Sequence, residues 1–450
     1  MDEYDVAMDT RQIPAHRDLT LDLARVFCVA VVVFVHLALV GVGRNADGSP
    51  FFVAPAEGTA WISPATWVAE IMPLFFVIGG FAARVGWAST RAKGGGAGDF
   101  VRARLRRLAR PALPLYTFLA LGLGTATLLG VDPALLKAVA IPVGSVLWFL
   151  GAFMLVQALA PWMIRLHERA PWLTLWGLLA AALVTDVIRL VVGIWWLGLG
   201  RVHPDGYGIG DELFGLPNIA FVWLFCQQLG FAMKDGWFAA LSRAQLVGLL
   251  VLGYAGVGAM VYFGDYSASM LSNQWPPTLP LAALGLAQAA LLTLLHRPLT
   301  RLMSKRWAQA TVFLVGSRLM SIYLWHVPVI VALTGLQLLL PLPMPNPGSG
   351  IWWATRTLML ILVLACVWLI SLATARLELS DVHGPARLTA RWALPCAVVL
   401  FILPSVGIAV YGLDVPLASS AVLCTVASLL LSGTRTSVAV AKPPARIPAG

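Results

Sequence analysis

Long apolar segments separated by short polar connections recur along almost the whole chain. Twelve of these segments are long enough, or nearly so, to cross the roughly 30 Å hydrocarbon core of a bilayer as α-helices. They cover residues 21–43, 65–87, 112–131, 145–163, 173–198, 216–233, 246–263, 279–295, 311–339, 353–374, 393–411 and 416–432. The pattern predicts an all-α fold, a polytopic transmembrane helical bundle of about 12 spans.

The composition agrees with this prediction and restricts the function. The chain is 59% hydrophobic and 12% charged, whereas soluble proteins carry about 25% charged residues. The formal net charge of +10 therefore reports orientation in a lipid bilayer, and we expect no nucleic-acid partner. The five cysteines lie in apolar segments without a C-x-x-C pair, so we expect neither a metal site nor a disulfide framework.

The distribution of basic residues favours one orientation in the membrane. With a cytoplasmic N-terminus and alternating loops, most Lys and Arg residues lie on the cytoplasmic side, with the densest cluster at 84–110. The external connections 264–278 and 340–350 contain no Lys or Arg. We therefore predict a multi-pass protein of the cell membrane with both termini cytoplasmic. Residues 1–18 form a cytoplasmic segment in this prediction, and 433–450 a disordered basic tail.

Two ionisable residues lie on one face of the first predicted span. Arg25 and His36 are 11 residues apart, which is about 20° past three helical turns and about 16 Å along the axis. An ionisable residue within a span is costly and is usually functional, although His36 could also be a histidine satisfied by a neighbouring helix. Asp22 can form an ion pair with Arg25, which could equally serve as a topological anchor.

A basic segment precedes the third span, with five arginines between residues 102 and 110. Arg104, Arg107 and Arg110 follow one another at intervals of three residues, so neighbouring pairs can share a helix face. Arginine is suited to bidentate phosphate binding. The alternative is attraction to lipid headgroups together with setting of topology.

A second histidine lies in the ninth predicted span. Tyr323 and His326 are three residues apart on one face, and Pro328 removes a backbone hydrogen bond there. Arg318 lies two turns before His326 and also needs a partner. Gly80, near the middle of the second span, allows a helix or a ligand to approach closely. The spacing leaves open whether the tyrosine, histidine and arginine are functional or structural, whereas tight helix packing is the default interpretation for Gly80.

Other polar residues within spans are more typical of hydrogen bonds between helices than of catalysis. They are Glu70, Asp186, Arg189, Gln227 and Gln228.

An ordered set of short motifs connects these candidates. The motifs are Leu21-Asp22-Leu23-Ala24-Arg25 followed by His36, Met72-Pro73-Leu74-Phe75-Phe76 leading to Gly80-Phe81, Arg104 with Arg107, Leu147-Trp148-Phe149-Leu150, and Tyr323-Leu324-Trp325-His326-Val327-Pro328. In this order they resemble the acyltransferase-3 family of integral membrane acyltransferases. The resemblance covers about residues 19–375 and implies a ten-helix acyltransferase core, followed over 376–432 by a linker and two additional transmembrane helices. Where the family usually has Ser-Gly-Phe, this chain has Gly79-Gly80-Phe81.

The resemblance implies an enzyme that transfers acyl groups other than aminoacyl groups. The donor would be cytoplasmic acyl-CoA, most often acetyl-CoA, used as a substrate rather than as a permanently bound cofactor. The acceptor would be a hydroxyl group of a sugar, a lipid, a cell-envelope component or a secondary metabolite. The sequence leaves the acceptor and the oligomeric state open. A transporter or flippase of lipid-linked or small-molecule cargo is the alternative, because it too places charges within spans.

The same resemblance assigns roles to residues. His36 would be the catalytic histidine, taking a proton from the acceptor hydroxyl as a general base, and Arg25 its motif partner. His326 or Tyr323 would stabilise the oxyanion. The residues predicted to act in catalysis are Asp22, Arg25, His36, Tyr323 and His326, and those predicted to bind substrate or acyl-CoA are Gly80, Arg104, Arg107, Arg110 and Arg318.

Overall fold

The computed structural model describes residues 18–46, 49–57, 59–198, 212–340, 344–378 and 391–433. Most of the N-terminal segment predicted at 1–18, much of the linker predicted after 376 and nearly all of the tail predicted at 433–450 lie outside the described residues. Within them, α-helices dominate, and two short strands form one antiparallel sheet, which is a small departure from the all-α prediction.

The helices follow one another in the order of the predicted spans. They are α1 (Leu19–Leu39), α2 (Ile62–Ala69), α3 (Met72–Ala92), α4 (Ala97–Leu128), α5 (Pro133–Ser145), α6 (Trp148–Arg169), α7 (Pro171–Ile188), α8 (Glu212–Gly215), α9 (Asn218–Lys234), α10 (Arg243–Phe263), α11 (Leu279–Met303), α12 (Arg306–Gly316), α13 (Leu319–Leu339), α14 (Gly350–Glu378), α15 (Ala393–Tyr411) and α16 (Val415–Leu431). A π-helical segment, Arg189–Trp196, continues α7. Strands β1 (Gly41–Arg44) and β2 (Pro50–Val53) follow α1.

Among the described residues, eleven helical segments are long and apolar enough to cross a membrane. The prediction of a polytopic transmembrane helical bundle is therefore confirmed. The twelfth predicted segment forms α16, an apolar helix of 17 residues that is shorter than the other spans.

The first span was predicted to run to residue 43, but α1 ends at Leu39. The glycines that follow Val40 explain the difference. A Cβ atom at Gly41 would collide with the ring of Pro55, and one at Gly43 with the ring of Phe51. These glycines allow β1 to fold back against β2 instead of continuing the helix. His36 consequently lies in the last turn of α1.

Two predicted spans are each built from two helices. The second breaks after Glu70, whose carboxylate accepts a hydrogen bond of 2.9 Å from the Met72 backbone N–H and so caps α3, while Pro73 occupies the first turn. The span predicted at 311–339 breaks between α12 and α13, where Arg318 donates a hydrogen bond of 2.8 Å to the Ser371 carbonyl of α14. At the first break a side chain thus satisfies a backbone group that the break exposes, and at the second Arg318 ties the break to α14.

Contacts at the two ends of the bundle show that successive spans alternate in direction. At one end, Arg84 of α3 forms ion pairs with Glu168 of α6 and with Asp235, which follows α9. At the other end, Arg44 of β1 donates a hydrogen bond of 2.6 Å to the Leu338 carbonyl of α13. We call the first the basic end and the second, which carries β1 and β2, the hairpin end.

The closest helix packing in the centre is between α3 and α9, and glycine makes it possible. A Cβ atom at Gly80 would overlap the Gln227 carbonyl, and one at Gly230 would overlap the Val77 carbonyl. The two backbones therefore touch, as is common where small residues meet in membrane bundles. Beside this crossing, Trp223 stacks on Phe76 with ring centroids 4.4 Å apart.

The hydrogen bonds between helices that were predicted for Asp186 and Gln227 are present. Gln227 donates to the Val156 carbonyl over 3.0 Å. Asp186 accepts from the Asn218 side chain at 2.8 Å, from the Tyr266 hydroxyl at 2.9 Å and from the Leu279 backbone N–H at 2.9 Å. These polar groups hold helices together, as expected where no water is present to satisfy them.

Candidate active site

A cavity of about 800 Å³ runs into the bundle between α1, α3, α4, α6, α12 and α13. Near the basic end it is lined by Asp18, Asp22, Arg25, Arg104 and Arg107. Most of the remaining lining is apolar and includes the residues Val29, Val32, Met72, Phe75, Phe149 and Phe153. Its size is within the range of small-molecule and cofactor sites.

Three guanidinium groups form the polar part of the cavity. Arg25 is held by an ion pair of 3.2 Å with Asp22, one turn earlier on α1. Arg104 donates to the Ala82 carbonyl over 3.2 Å and lies over the Phe100 ring at 5.0 Å. Arg104 and Arg107 are three residues apart and thus about 60° apart around α4, so both can line one cavity. The arrangement is suited to a ligand with several phosphate oxygens.

The apolar part of the cavity is aromatic. Phe75 meets Phe149 edge to face with ring centroids 5.1 Å apart, and Phe149 stacks against Phe153 at 5.3 Å. The Tyr323 ring lies 4.9 Å from that of Phe149, and its hydroxyl donates to the Val146 carbonyl. These rings favour an apolar chain over charged groups.

Two histidines meet beside this aromatic wall. The rings of His36 and His326 are edge to face with centroids 5.0 Å apart, and Nδ1 of His36 lies 3.4 Å from Nε2 of His326. His326 is fully buried, whereas His36 is partly exposed. Val32 and Tyr323, one turn before each histidine on its own helix, line the cavity. The pair therefore lies next to the cavity rather than in its wall.

The hydrogen bonds determine the tautomer of each ring. Nδ1 of His36 lies 2.8 Å from the Val32 carbonyl, and Nδ1 of His326 lies 2.6 Å from the Tyr323 carbonyl. A carbonyl oxygen can only accept, so in both neutral rings the proton is assigned to Nδ1. Nε2 of His36 then keeps its lone pair and is the nitrogen that can accept a proton. Nε2 of His326 lies 3.4 Å from Nδ1 of His36, whose proton donates to the Val32 carbonyl.

The structure brings together part of the predicted set. Asp22, Arg25, Arg104, Arg107 and Tyr323 line the cavity, and His36 contacts His326. Three predicted substrate-binding residues lie elsewhere: Gly80 packs against α9, Arg318 bonds to α14, and Arg110 is outside the cavity lining. Gly79 lines the cavity instead of Gly80.

Gln157 is a cavity residue that sequence reasoning did not identify. It is 1% exposed, lines the cavity and donates a long hydrogen bond of 3.5 Å to the Gly79 carbonyl. Its position as an amide within the otherwise apolar segment 145–163 was the signal that could have identified it. Among the described residues, no group of three or more His, Cys, Asp or Glu side chains is placed to hold a metal ion.

Comparison with known proteins adds one result. A family model of the acyltransferase-3 type, described as an acyltransferase domain, matches residues 18–372. No curated protein and no solved structure matches the chain. The matched residues include both histidines and every residue that lines the cavity, and they end before α15 and α16.

Proposed function

The chain belongs to the acyltransferase-3 family of membrane acyltransferases, and we propose that it transfers an acyl group from cytoplasmic acyl-CoA to a hydroxyl group. The simplest donor is acetyl-CoA, and the acceptor class is a sugar, a lipid, a cell-envelope component or a secondary metabolite. The observation that carries the proposal is one cavity that has three arginines near the basic end and aromatic walls further in. The histidine pair lies beside those aromatic walls.

The cavity arginines support acyl-CoA as the donor. Coenzyme A carries several phosphate charges, and Arg25, Arg104 and Arg107 supply guanidinium groups at the basic end. The positive-inside rule favours a cytoplasmic position for that end, on the side where acyl-CoA is available. Arg25 and His36 are separated by about 16 Å along α1. The pantetheine arm must therefore be extended if the phosphates bind at Arg25 while the thioester reaches His36.

Asp22 supports this arrangement by orienting Arg25. Its carboxylate holds the guanidinium at 3.2 Å, which fixes the direction of the planar fork. We therefore assign Asp22 a positioning role for Arg25 rather than a role in the chemical step.

His36 would be the general base. Its Nε2 takes the proton from the acceptor hydroxyl as that oxygen attacks the thioester carbonyl and forms a tetrahedral intermediate. Collapse of the intermediate breaks the carbon–sulfur bond, and the departing CoA thiolate takes the proton from the His36 imidazolium. The imidazolium is stabilised by the Val32 carbonyl, which accepts from its Nδ1–H at 2.8 Å.

His326 thus supports His36 in this mechanism. Its Nε2 lies 3.4 Å from Nδ1 of His36, and its own Nδ1–H donates to the Tyr323 carbonyl. The Tyr323 hydroxyl already donates to the Val146 carbonyl, so it could stabilise the oxyanion only by giving up that bond. The role that best fits His326 is to hold the His36 ring in place by edge-to-face contact, and Tyr323 in turn orients His326 through its carbonyl.

The test is acceptor-dependent release of CoA by the purified protein in detergent. Labelled acetyl-CoA is incubated with a panel of sugar, lipid and glycan acceptors, and the free thiol and the labelled product are measured. We expect turnover that depends on both donor and acceptor. Uptake of cargo by proteoliposomes without CoA release would instead support the transporter or flippase alternative.

A further inference from the structure

The two C-terminal helices α15 and α16 lie outside the residues matched by the family, yet they pack against the helix that carries the donor arginines. α16 packs along α4, and α15 packs against α6 and α4. Arg104 and Arg107 of α4 line the cavity on the other side of that helix. Two sets of hydrogen bonds join α4 to α15 and α16, which we call the C-terminal pair.

The first attachment is at the C-terminal end of α16. The Ser432 carbonyl accepts from Arg102 Nε at 2.8 Å and from Arg106 Nη2 at 3.3 Å, and the Ser432 hydroxyl accepts from Arg106 Nε at 3.0 Å. The last carbonyls of a helix lack partners within the helix and carry partial negative charge, so a guanidinium is well suited to them. Arg102 is also paired with Asp99 at 3.1 Å.

The second attachment lies deeper in the bundle. The Tyr116 hydroxyl and the Ser405 hydroxyl of α15 share a hydrogen bond of 3.0 Å, and both residues are fully buried. Tyr116 is ten residues beyond Arg106, about 15 Å along α4. Arg102, Arg106 and Tyr116 fall within about 80° of one another around the helix. The same face of α4 is therefore held at two heights.

The donor arginines lie on the opposite side of α4. At about 100° per residue, the direction midway between Arg104 and Arg107 is about 150° from the direction midway between Arg102 and Arg106. A rotation of α4 that moved Arg104 and Arg107 out of the cavity would also break both attachments. Ordinary apolar packing would not require Arg102 and Arg106, which are only 8% and 5% exposed, because burying a charge costs free energy unless it is paired.

We propose that α15 and α16 set the rotational position of α4 and thereby aim Arg104 and Arg107 at the phosphates of the acyl-CoA donor. Arg102, Arg106, Tyr116, Ser405 and Ser432 are positioning residues in this arrangement. The inference rests on the proposed function, because it takes the ligand of these arginines to be acyl-CoA.

The test compares two serine variants of the C-terminal pair with Arg106→Met. Ser405→Ala removes the hydroxyl that bonds to Tyr116 of α4. Ser428→Ala is the matched control, because this buried hydroxyl donates to the Ala397 carbonyl within the C-terminal pair, at 2.6 Å, instead of bonding to α4. The KM for acetyl-CoA, the KM for the acceptor and kcat are measured per folded molecule of the full chain.

Arg106→Met should raise the KM for acetyl-CoA about tenfold with kcat within about twofold, the effect of misaligning one charge-assisted contact. Ser405→Ala should raise it about two- to threefold, as loss of one neutral hydrogen bond does, and Ser428→Ala should leave it at the parental value. Arg106→Lys should recover part of the loss. The KM for the acceptor should stay unchanged in every variant.

Two results would overturn the inference while leaving the proposed function standing. One is an unchanged KM for acetyl-CoA in both Arg106→Met and Ser405→Ala. The other is a raised KM in Arg106→Met with Ser405→Ala matching Ser428→Ala, which would mean that Arg106 contacts the donor directly. A parent enzyme that neither binds nor turns over acetyl-CoA would overturn the proposed function and the inference together.

Discussion

Replacing His36 with glutamine tests the general base directly. Glutamine keeps a polar side chain that can donate to the Val32 carbonyl, as Nδ1 of His36 does over 2.8 Å, but it has no nitrogen that accepts a proton near neutral pH. His36 is partly exposed, and its contact with His326 is long, at 3.4 Å. We therefore expect the variant to fold and to melt close to the parental temperature.

The expected loss follows from the role of the imidazole. A positioned general base contributes about 10²- to 10⁴-fold in rate, which corresponds to about 3–5 kcal/mol of transition-state stabilisation. The kcat of His36→Gln should therefore fall by about 100-fold or more. The KM for acyl-CoA should change little, because Arg25, Arg104 and Arg107 remain in the cavity. His36→Ala should lose the same activity.

His167→Gln is the matched control for this experiment. His167 is another histidine within a helix, buried, hydrogen-bonded to Gln228 at 2.8 Å and within 3.5 Å of the Asp235 carboxylate, and neither it nor its contacts lie at the cavity. Its replacement should leave kcat within a few-fold of the parental value. The assay is CoA release per folded molecule after size-exclusion chromatography in detergent. A folded His36→Gln protein with near-parental turnover would refute the mechanism.

Three further measurements address the donor, the second histidine and the orientation. The Arg104→Ala/Arg107→Ala double variant should bind acyl-CoA about 100-fold more weakly, since two charge-assisted contacts are lost. Arg110→Ala should bind acyl-CoA as the parent does. An equal Kd in the parent, the double variant and Arg110→Ala would contradict the donor assignment. His326→Ala should lower kcat about tenfold and the melting temperature by several degrees; normal values of both would remove His326 from the site. Reporters inserted between α10 and α11 and between α13 and α14 should read as external, and a cytoplasmic signal from either would overturn the orientation.

Helix periodicity was enough to predict which face of α1 lies towards the cavity. Arg25 and His36 were placed on one face of the first span because 11 residues return nearly to the same angle. In the structure, Arg25 lines the cavity and so does Val32, one turn before His36. The prediction works because a charged or polar residue in an apolar span is conspicuous and its neighbours on the helix face follow from geometry.

The opposite side of the site depends on tertiary packing and could not be predicted in the same way. His36 and His326 are 290 residues apart in sequence, and their contact follows from the packing of α1 against α13. The aromatic wall of Phe149 and Phe153 looks like ordinary core sequence because any buried helix is rich in such residues. The break after Glu70 depends on the Glu70 side chain capping α3. Hydrophobic periodicity cannot reveal such a cap.

The arginines of α4 show why charge density alone was ambiguous. A cluster of five between residues 102 and 110 is typical both of phosphate binding and of membrane topology. In the structure the helix divides it: Arg102 and Arg106 are buried against the end of α16, while Arg104 and Arg107 line the cavity. Attraction to lipid headgroups would require solvent-facing side chains, which buried Arg102 and Arg106 are not. The cluster therefore contains two sets of arginines on different faces of one helix. Only the direction of each side chain in the structure separates the two sets.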